Sequence, residues 1–280
     1  QHLTASLAPI GLNAHFRAIC VGFALNNLLP FRAGELARCV YLAREGAVRA
    51  PTLMGTVLVE RLFDFAGLGF LAAVFLGLRG VSVLGIEASR AATLLPAFLL
   101  LPAAALALLP RLTPARVERL AGPGTRLLGK RIGHSLLSFL RDVAAGSGVL
   151  RTRGALLPIC LLTIACWLSS VPPMWAAIQG LDVVLPLAPE GAALFDASAA
   201  LTVWVAAGVA LPAAPGFVGP YHAACWLALK AYGVPKGTAV AVGTLAHGVF
   251  WIGTTLPGLV ALWLRGDRLD SSLGEAGQSE

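Results

Sequence analysis

NNLLPFRAGELARC, Asn26 to Cys39, interrupts an apolar run with a proline, arginines, a glutamate and a glycine. The run before it, Leu12 to Leu29, has the apolarity of a membrane-spanning helix, for which about 20 residues are needed. Pro30 stops that helix, because proline lacks an N–H and clashes with the preceding turn. From Ala33 onward the sequence AGELARCVYLARE reads as a second helix, with Glu35 and Arg38 on one face. Gly34 provides either a left-handed turn or a close approach of two backbones. Asn26 and Asn27 fall in the last turn of the first helix. There an amide either satisfies carbonyls freed by Pro30 or joins the arginines in holding a phosphate or sugar headgroup.

The composition around this stretch is not that of a soluble protein. Hydrophobic residues make up 57% of the chain and charged residues 12%, with a mean hydropathy of +0.79. Soluble domains carry roughly 45–50% apolar and about 25% charged residues. The expected fold is all-α, a polytopic helical membrane bundle of about six to seven hydrophobic segments, since helices satisfy their own backbone groups in lipid. Leu12–Leu29, Leu53–Leu78, Ala92–Leu109, Ala155–Ile178, Ala193–Leu211 and Thr238–Leu264 are the candidate spans, with a short apolar stretch at Ala223–Tyr232. Pro172-Pro173 should kink or break the fourth.

Residues 1–264 therefore read as one transmembrane domain, in which 111–153 is a basic cytoplasmic loop or amphipathic segment, and 265–280 as a polar, disordered tail. The chain opens at Gln1 without a signal-peptide pattern, so earlier helices are expected to precede it. The five cysteines lack CxxC spacing and read as small packing residues. No disulfide framework, metal site or cofactor is expected, and no ATP-binding loop or nucleophile elbow is present.

Lysine and arginine are unevenly shared between the two faces. If every candidate spans, one face holds Arg32, Arg38, Arg44, Arg49, the nine basic residues of 111–153, Arg265 and Arg268. The other holds Arg17, Arg79, Arg90, Lys230 and Lys236. The first face, and with it the C-terminus, is expected in the cytoplasm. The net charge of +7 then faces anionic lipid headgroups rather than nucleic acid, which is not expected as a partner. Re-entrant hairpins at the two Pro/Gly-broken segments would alter the count.

Glu60, Arg61 and Asp64 stand inside an otherwise apolar segment. A charge at a helix centre costs about 2.5–3.5 kcal/mol, so it is retained for pairing or for a pathway. Arg61 and Asp64 can pair on one face, which leaves Glu60 needing a partner, and Arg32 and Arg38 are the nearest in sequence. Either an ion pair fixes helix packing here, or the charges line a polar cavity. A second break, LPAAPGFVGPYHA, repeats the pattern of the first: an apolar helix ends, Pro215, Gly216 and Gly219 make a turn, and a short helix starts near Pro220. Tyr221 and His222 on that helix are candidate headgroup contacts, whereas His247 reads as a packing or carbonyl-bonded histidine. Paired broken segments in two halves of a chain point to a transporter's binding site and to an internal inverted repeat.

Three stretches together resemble the transmembrane region of the lysylphosphatidylglycerol synthase/flippase family: LNNLLPFRAGELARCVYLAREG, VLVERLFDFAGL and LPAAPGFVGPYHAACWLALKAYGVP. The resemblance covers Leu12 to Leu264. Its N-x-x-L-P-x-R-x-G-E-x-x-R motif falls on Asn26, Leu29, Pro30, Arg32, Gly34, Glu35 and Arg38. Its E-R-x-x-D motif falls on Glu60, Arg61 and Asp64, and its P-G-x-x-G motif on Pro215, Gly216 and Gly219. Many relatives carry a glutamate after the last motif, where this chain has Tyr221 and His222. The resemblance implies further helices ahead of the first motif and no aminoacyl-transferase activity here. It implies translocation of a phospholipid or lipid-linked headgroup, with arginines holding phosphate or carboxylate. The alternatives are an enzyme acting on a lipid-linked substrate, with Glu35 or Asp64 as acid/base, and a non-transporting scaffold of envelope assembly.

Overall fold

A computed structural model describes residues 1–79, 99–126, 129–187, 193–210 and 215–277. The described residues are helical, with no strand among them. In chain order they form α1 (Leu12–Leu28), α2 (Ala33–Gly46), α3 (Ala50–Arg79), α4 (residues 99–108), α5 (Pro114–Arg126), α6 (Lys130–Gly146), α7 (Arg153–Ser169), α8 (Val171–Gln179), α9 (Ala193–Ala210), α10 (Pro220–Leu229) and α11 (Lys236–Gly277). Two stretches, Gly154–Gln179 and Lys236–Leu264, are long and apolar enough to cross a membrane. Only 11% and 22% of their apolar windows are buried, so these helices present hydrophobic surface outward, as a bilayer requires and a soluble core helix does not.

α1 and α2 form a hairpin that returns to the side it started from. At its tip, α1 and α2 touch so closely that a Cβ on Gly34 would overlap the Gly22 carbonyl oxygen. At its base Gly46 lies against Ile10 and Ala8. Gly34 therefore serves close approach, the packing use of small residues between membrane helices. The left-handed turn falls instead on Phe31 and Arg32, at φ 59° and 54°.

α9 and α10 make the second hairpin. Gly208 meets Pro220 and Ala224 near its tip, while at its base Gly233 touches Pro186 and Leu187, and Leu187 N–H donates to the Tyr232 carbonyl. Its turn also holds consecutive left-handed residues, Gly216 at φ 64° and Phe217 at φ 58°.

α11 shows how the hairpins oppose each other. From its start it packs Gly243 on Cys225 of α10, then Trp251 on Gly216, then Gly258 on Cys20 and Ala24 of α1. Ala261 and Leu262 finally join the cluster around Ile10. One hairpin thus enters from the side of residues 10 and 46, the other from the side of residues 187 and 233, and their tips meet midway along α11.

Of the two alternatives for the broken Leu12–Leu29 segment, a span or a re-entrant hairpin, this geometry is the hairpin, and it moves Arg17 from the face that the spanning count gave it. Because α2 brings the chain back, the start of α1, with Arg17, shares a side with Arg44, Arg49 and the basic segment. The α5–α6 segment is also on that side: a Cβ on Gly146 of α6 would overlap the Thr52 carbonyl at the start of α3.

Other expectations shift less. Of the two alternatives for 111–153, a loop or an amphipathic segment, its described residues form the helices α5 and α6. The Ala155–Ile178 span divides at Ser170, and Pro172 sits in the first turn of α8, where its missing N–H leaves no bond unmade. α11 continues as helix to Gly277, where a disordered tail was expected beyond Leu264. Residues 265–277 contain no proline to stop the helix. Arg90, most of the Ala92–Leu109 segment before residue 99, and Leu211-Pro212 lie outside the described residues.

Candidate functional site

α3 carries Glu60 ten residues past Ala50, roughly 15 Å along the helix axis, about half of a bilayer's ~30 Å hydrocarbon core. There it meets the tip of the first hairpin. Arg38 on α2 holds both oxygens of Glu60, Nη1 on Oε1 at 3.1 Å and Nη2 on Oε2 at 3.1 Å. The first contact is a hydrogen bond and the second an ion-pair contact only, since Nη2 of Arg38 has no hydrogen-bond partner among the described residues. Arg61 reaches Glu60 at 2.6 Å, Asp64 at 2.9 Å and Glu35 at 3.7 Å. Arg32 closes on Glu35 at 3.0 Å. Glu60, left wanting a partner in the sequence, takes Arg38 and Arg61 together.

These contacts join Arg32, Glu35, Arg38, Glu60, Arg61 and Asp64 in one chain of ion pairs with three positive and three negative members. The balance is what permits six formal charges at membrane depth, since each offsets a neighbour's desolvation. The network is partly open: side-chain exposure runs from 13% at Arg38 to 36% at Asp64. Nε of Arg32 and of Arg61 has no hydrogen-bond partner among the described residues. Unsatisfied guanidinium donors suit an oxyanion, which accepts in a plane as a carboxylate or phosphate does.

Arg32 also links the network to the second hairpin. Its Nη1 donates to the carbonyls of Val209 and Ala210 at 3.4 and 3.5 Å, both at the long limit. These are last-turn carbonyls of α9, unpaired within the helix and at the negative end of its dipole, where a cation is favoured.

The asparagines tie the tips down. Asn26 Oδ1 accepts the Gly34 N–H at 2.8 Å, so it bonds a donor at the start of α2 rather than carbonyls freed by Pro30. Asn27 Nδ2 donates to the hydroxyls of Thr254 and Thr255 on α11, both at 2.9 Å. A Cβ on Gly216 would come within 3.1 Å of the Asn27 carbonyl, which shows how closely the turns abut.

Pro215 opens the second turn, and the Gly216 carbonyl accepts His247 Nε2–H at 2.7 Å. The His247 ring stacks on Tyr221 at 4.5 Å and meets the edge of His222 at 5.3 Å. Gly219, at φ 96°, starts α10. Tyr221 and His222 thus gather around His247, not around the arginines. The structure brings the first two motifs into one network and places the third beside it, joined through Arg32 and Asn27.

Sequence reasoning missed Thr254, Thr255 and the two α9 carbonyls. The only visible signal was a Thr-Thr pair in an apolar helix, and nothing in α9's own residues marks its last turn as a cation site. A cavity of about 690 Å³, lined by Ile178, Gln179, Asp182, Val183, Leu185 and Leu194, lies apart from the charges. Leu194 and Ala210 are at opposite ends of α9, roughly 24 Å apart. The charges themselves are drawn together in ion pairs, and this cavity is not lined by them.

Two comparisons are negative: no curated protein and no solved structure matches this chain. The family model described as "Lysylphosphatidylglycerol synthase TM region" matches residues 2–258, which include both hairpins, α3 and most of the apolar part of α11. The chain is thus an integral membrane protein that belongs to the lysylphosphatidylglycerol synthase transmembrane-region family.

Proposed function

We propose that this protein moves the headgroup of a phospholipid or lipid-linked glycan between leaflets, past the point where the two hairpin tips meet. The observation that carries the reading is the neutral network of Arg32, Glu35, Arg38, Glu60, Arg61 and Asp64 at mid-depth, bridged by Arg32 to the end of α9. Irregular backbone at this depth belongs where it lines a polar path, and opposed broken elements are the deformable parts of alternating access. An anionic headgroup would exchange with a carboxylate on Arg32 or Arg61, so binding would replace one ion pair with another at little net cost in charge. The membrane is the cell membrane, with the basic side and the C-terminus in the cytoplasm.

Translocation of labelled lipid in proteoliposomes tests this. Arg32→Ala should reduce the rate tenfold or more while the protein stays folded, and Glu60→Gln should reduce the rate per folded molecule as much. Unchanged rates in both would sink the assignment. A second reading has one observation in its favour: every charge in the network is already paired, as a purely structural device would have it. That reading, a scaffold, expects these variants to lose folding or partner binding alone.

A further inference from the structure

α5 and α6 form an antiparallel helical hairpin on the basic side, with Glu118 of α5 paired to Arg141 of α6 at 3.1 Å. The hairpin is fixed to the membrane domain. Gly146 and Gly55 interlock α6 with α3, and Arg49 pairs with Asp142 at 2.9 Å. Its packing face is occupied, since Thr125 and Ala144 are buried. Its other face is not. Ile132, Leu136 and Phe139 recur at i, i+4 and i+7 of α6 and form one exposed stripe, with Ile132 65% exposed. On α5, Leu120 is 72% exposed and shares a face with Arg116 four residues before it.

The charge around this stripe is unbalanced. Both acidic residues of the hairpin, Glu118 and Asp142, are engaged by Arg141 and Arg49. Arg116, Arg119 and Arg131 are exposed and have no carboxylate partner among the described residues. An apolar stripe beside unpaired arginines matches a surface that is hydrocarbon below and anionic above.

We infer that the α5–α6 hairpin is a docking surface for the anionic leaflet of the protein's own membrane, with Ile132, Leu136 and Phe139 set into the acyl boundary and Arg116, Arg119 and Arg131 on lipid phosphates. A soluble acidic partner would meet the arginines but not the need to bury this stripe at the foot of α3. The inference does not depend on translocation.

The experiment uses the full chain in nanodiscs of zwitterionic lipid, with and without phosphatidylglycerol. The accessible Cys20, Cys160 and Cys166 are first changed to serine; Cys39 and Cys225 are buried. An environment-sensitive fluorophore is then placed at Ile132→Cys, or at His134→Cys on the opposite side of α6. In anionic discs the Ile132 label should shift to the blue and be quenched by spin-labelled acyl chains, and the His134 label should not. Arg116→Gln, Arg119→Gln and Arg131→Gln combined should abolish the dependence on phosphatidylglycerol without changing helicity, because all three side chains are exposed. Equal behaviour at the two positions, or in the two lipids, would overturn the proposal. So would shielding seen only in discs that hold two copies of the protein.

Discussion

At the scale of single residues, two positions show how the hairpin tip is balanced. Arg38 and Glu60 share an ion pair with side chains 13% and 30% exposed. Removing one member of a buried pair costs about 3–5 kcal/mol, because the other charge is left uncompensated. Arg38→Met should therefore lower stability strongly, and adding Glu60→Gln should restore a large part of the loss. Chemical unfolding of wild type, both single variants and the double variant measures this, and strictly additive losses would contradict the pairing. Phe31 poses the opposite problem, since it is 81% exposed yet held at φ 59°. A left-handed residue with a Cβ costs roughly 1–2 kcal/mol, more than the roughly 0.5–1 kcal/mol of chain entropy that glycine loses on folding. Phe31→Gly should leave the unfolding midpoint unchanged or raise it, whereas the β-branched Phe31→Val should lower it. Equal losses would mean that the phenyl ring, not the backbone, matters here.

At the scale of elements, the sequence marked where helices break but not where they go next. Pro30 and Pro215-Gly216 announce the two turns because proline and glycine act locally. Whether the chain then crosses or turns back depends on what the following helix packs against. For α2 that is α1 itself, through Gly22 and Gly34, a contact between residues twelve apart that no apolar pattern records. The anchoring of the tips is equally non-local. Asn27 donates to Thr254 and Thr255, more than two hundred residues away, and either hydroxyl is an ordinary helix residue in sequence. Asn27→Leu removes both donors and should cost about 1–2 kcal/mol, limited because the Thr254 hydroxyl already has a second partner in the Phe250 carbonyl. Hydrogen exchange should then quicken around Trp251–Thr255 and at the Gly34 amide, with α5 and α6 unaffected. Uniform quickening throughout the chain would instead indicate global loss of stability.

At the scale of the whole molecule, charge and topology answer different questions. The membrane class was legible from composition alone, and the pairing of two breaks from their shared Pro/Gly grammar. The opposition of the hairpins was not, because it follows from the order in which α11 meets Cys225, Gly216, Asn27 and Cys20 along its length. Returning the first hairpin to its own side moves Arg17 to join Arg44, Arg49 and the α5–α6 arginines, while Arg32 and Arg38 leave the loop count for the interior network. The asymmetry therefore survives the correction: the far side retains Arg79, Lys230 and Lys236 among the described residues, and the near side retains the basic hairpin. Positive charge in short segments holds a side in the cytoplasm, so the basic side should face inward. His134 on α6 and the exposed Val184 beyond α8 mark the two sides. With Cys20, Cys160 and Cys166 changed to serine, an impermeant maleimide should label Val184→Cys in intact cells and His134→Cys only after the membrane is opened. The reverse pattern would invert the orientation, and labelling of both from outside would place the basic hairpin outside the cytoplasm and remove the anionic leaflet it is inferred to meet.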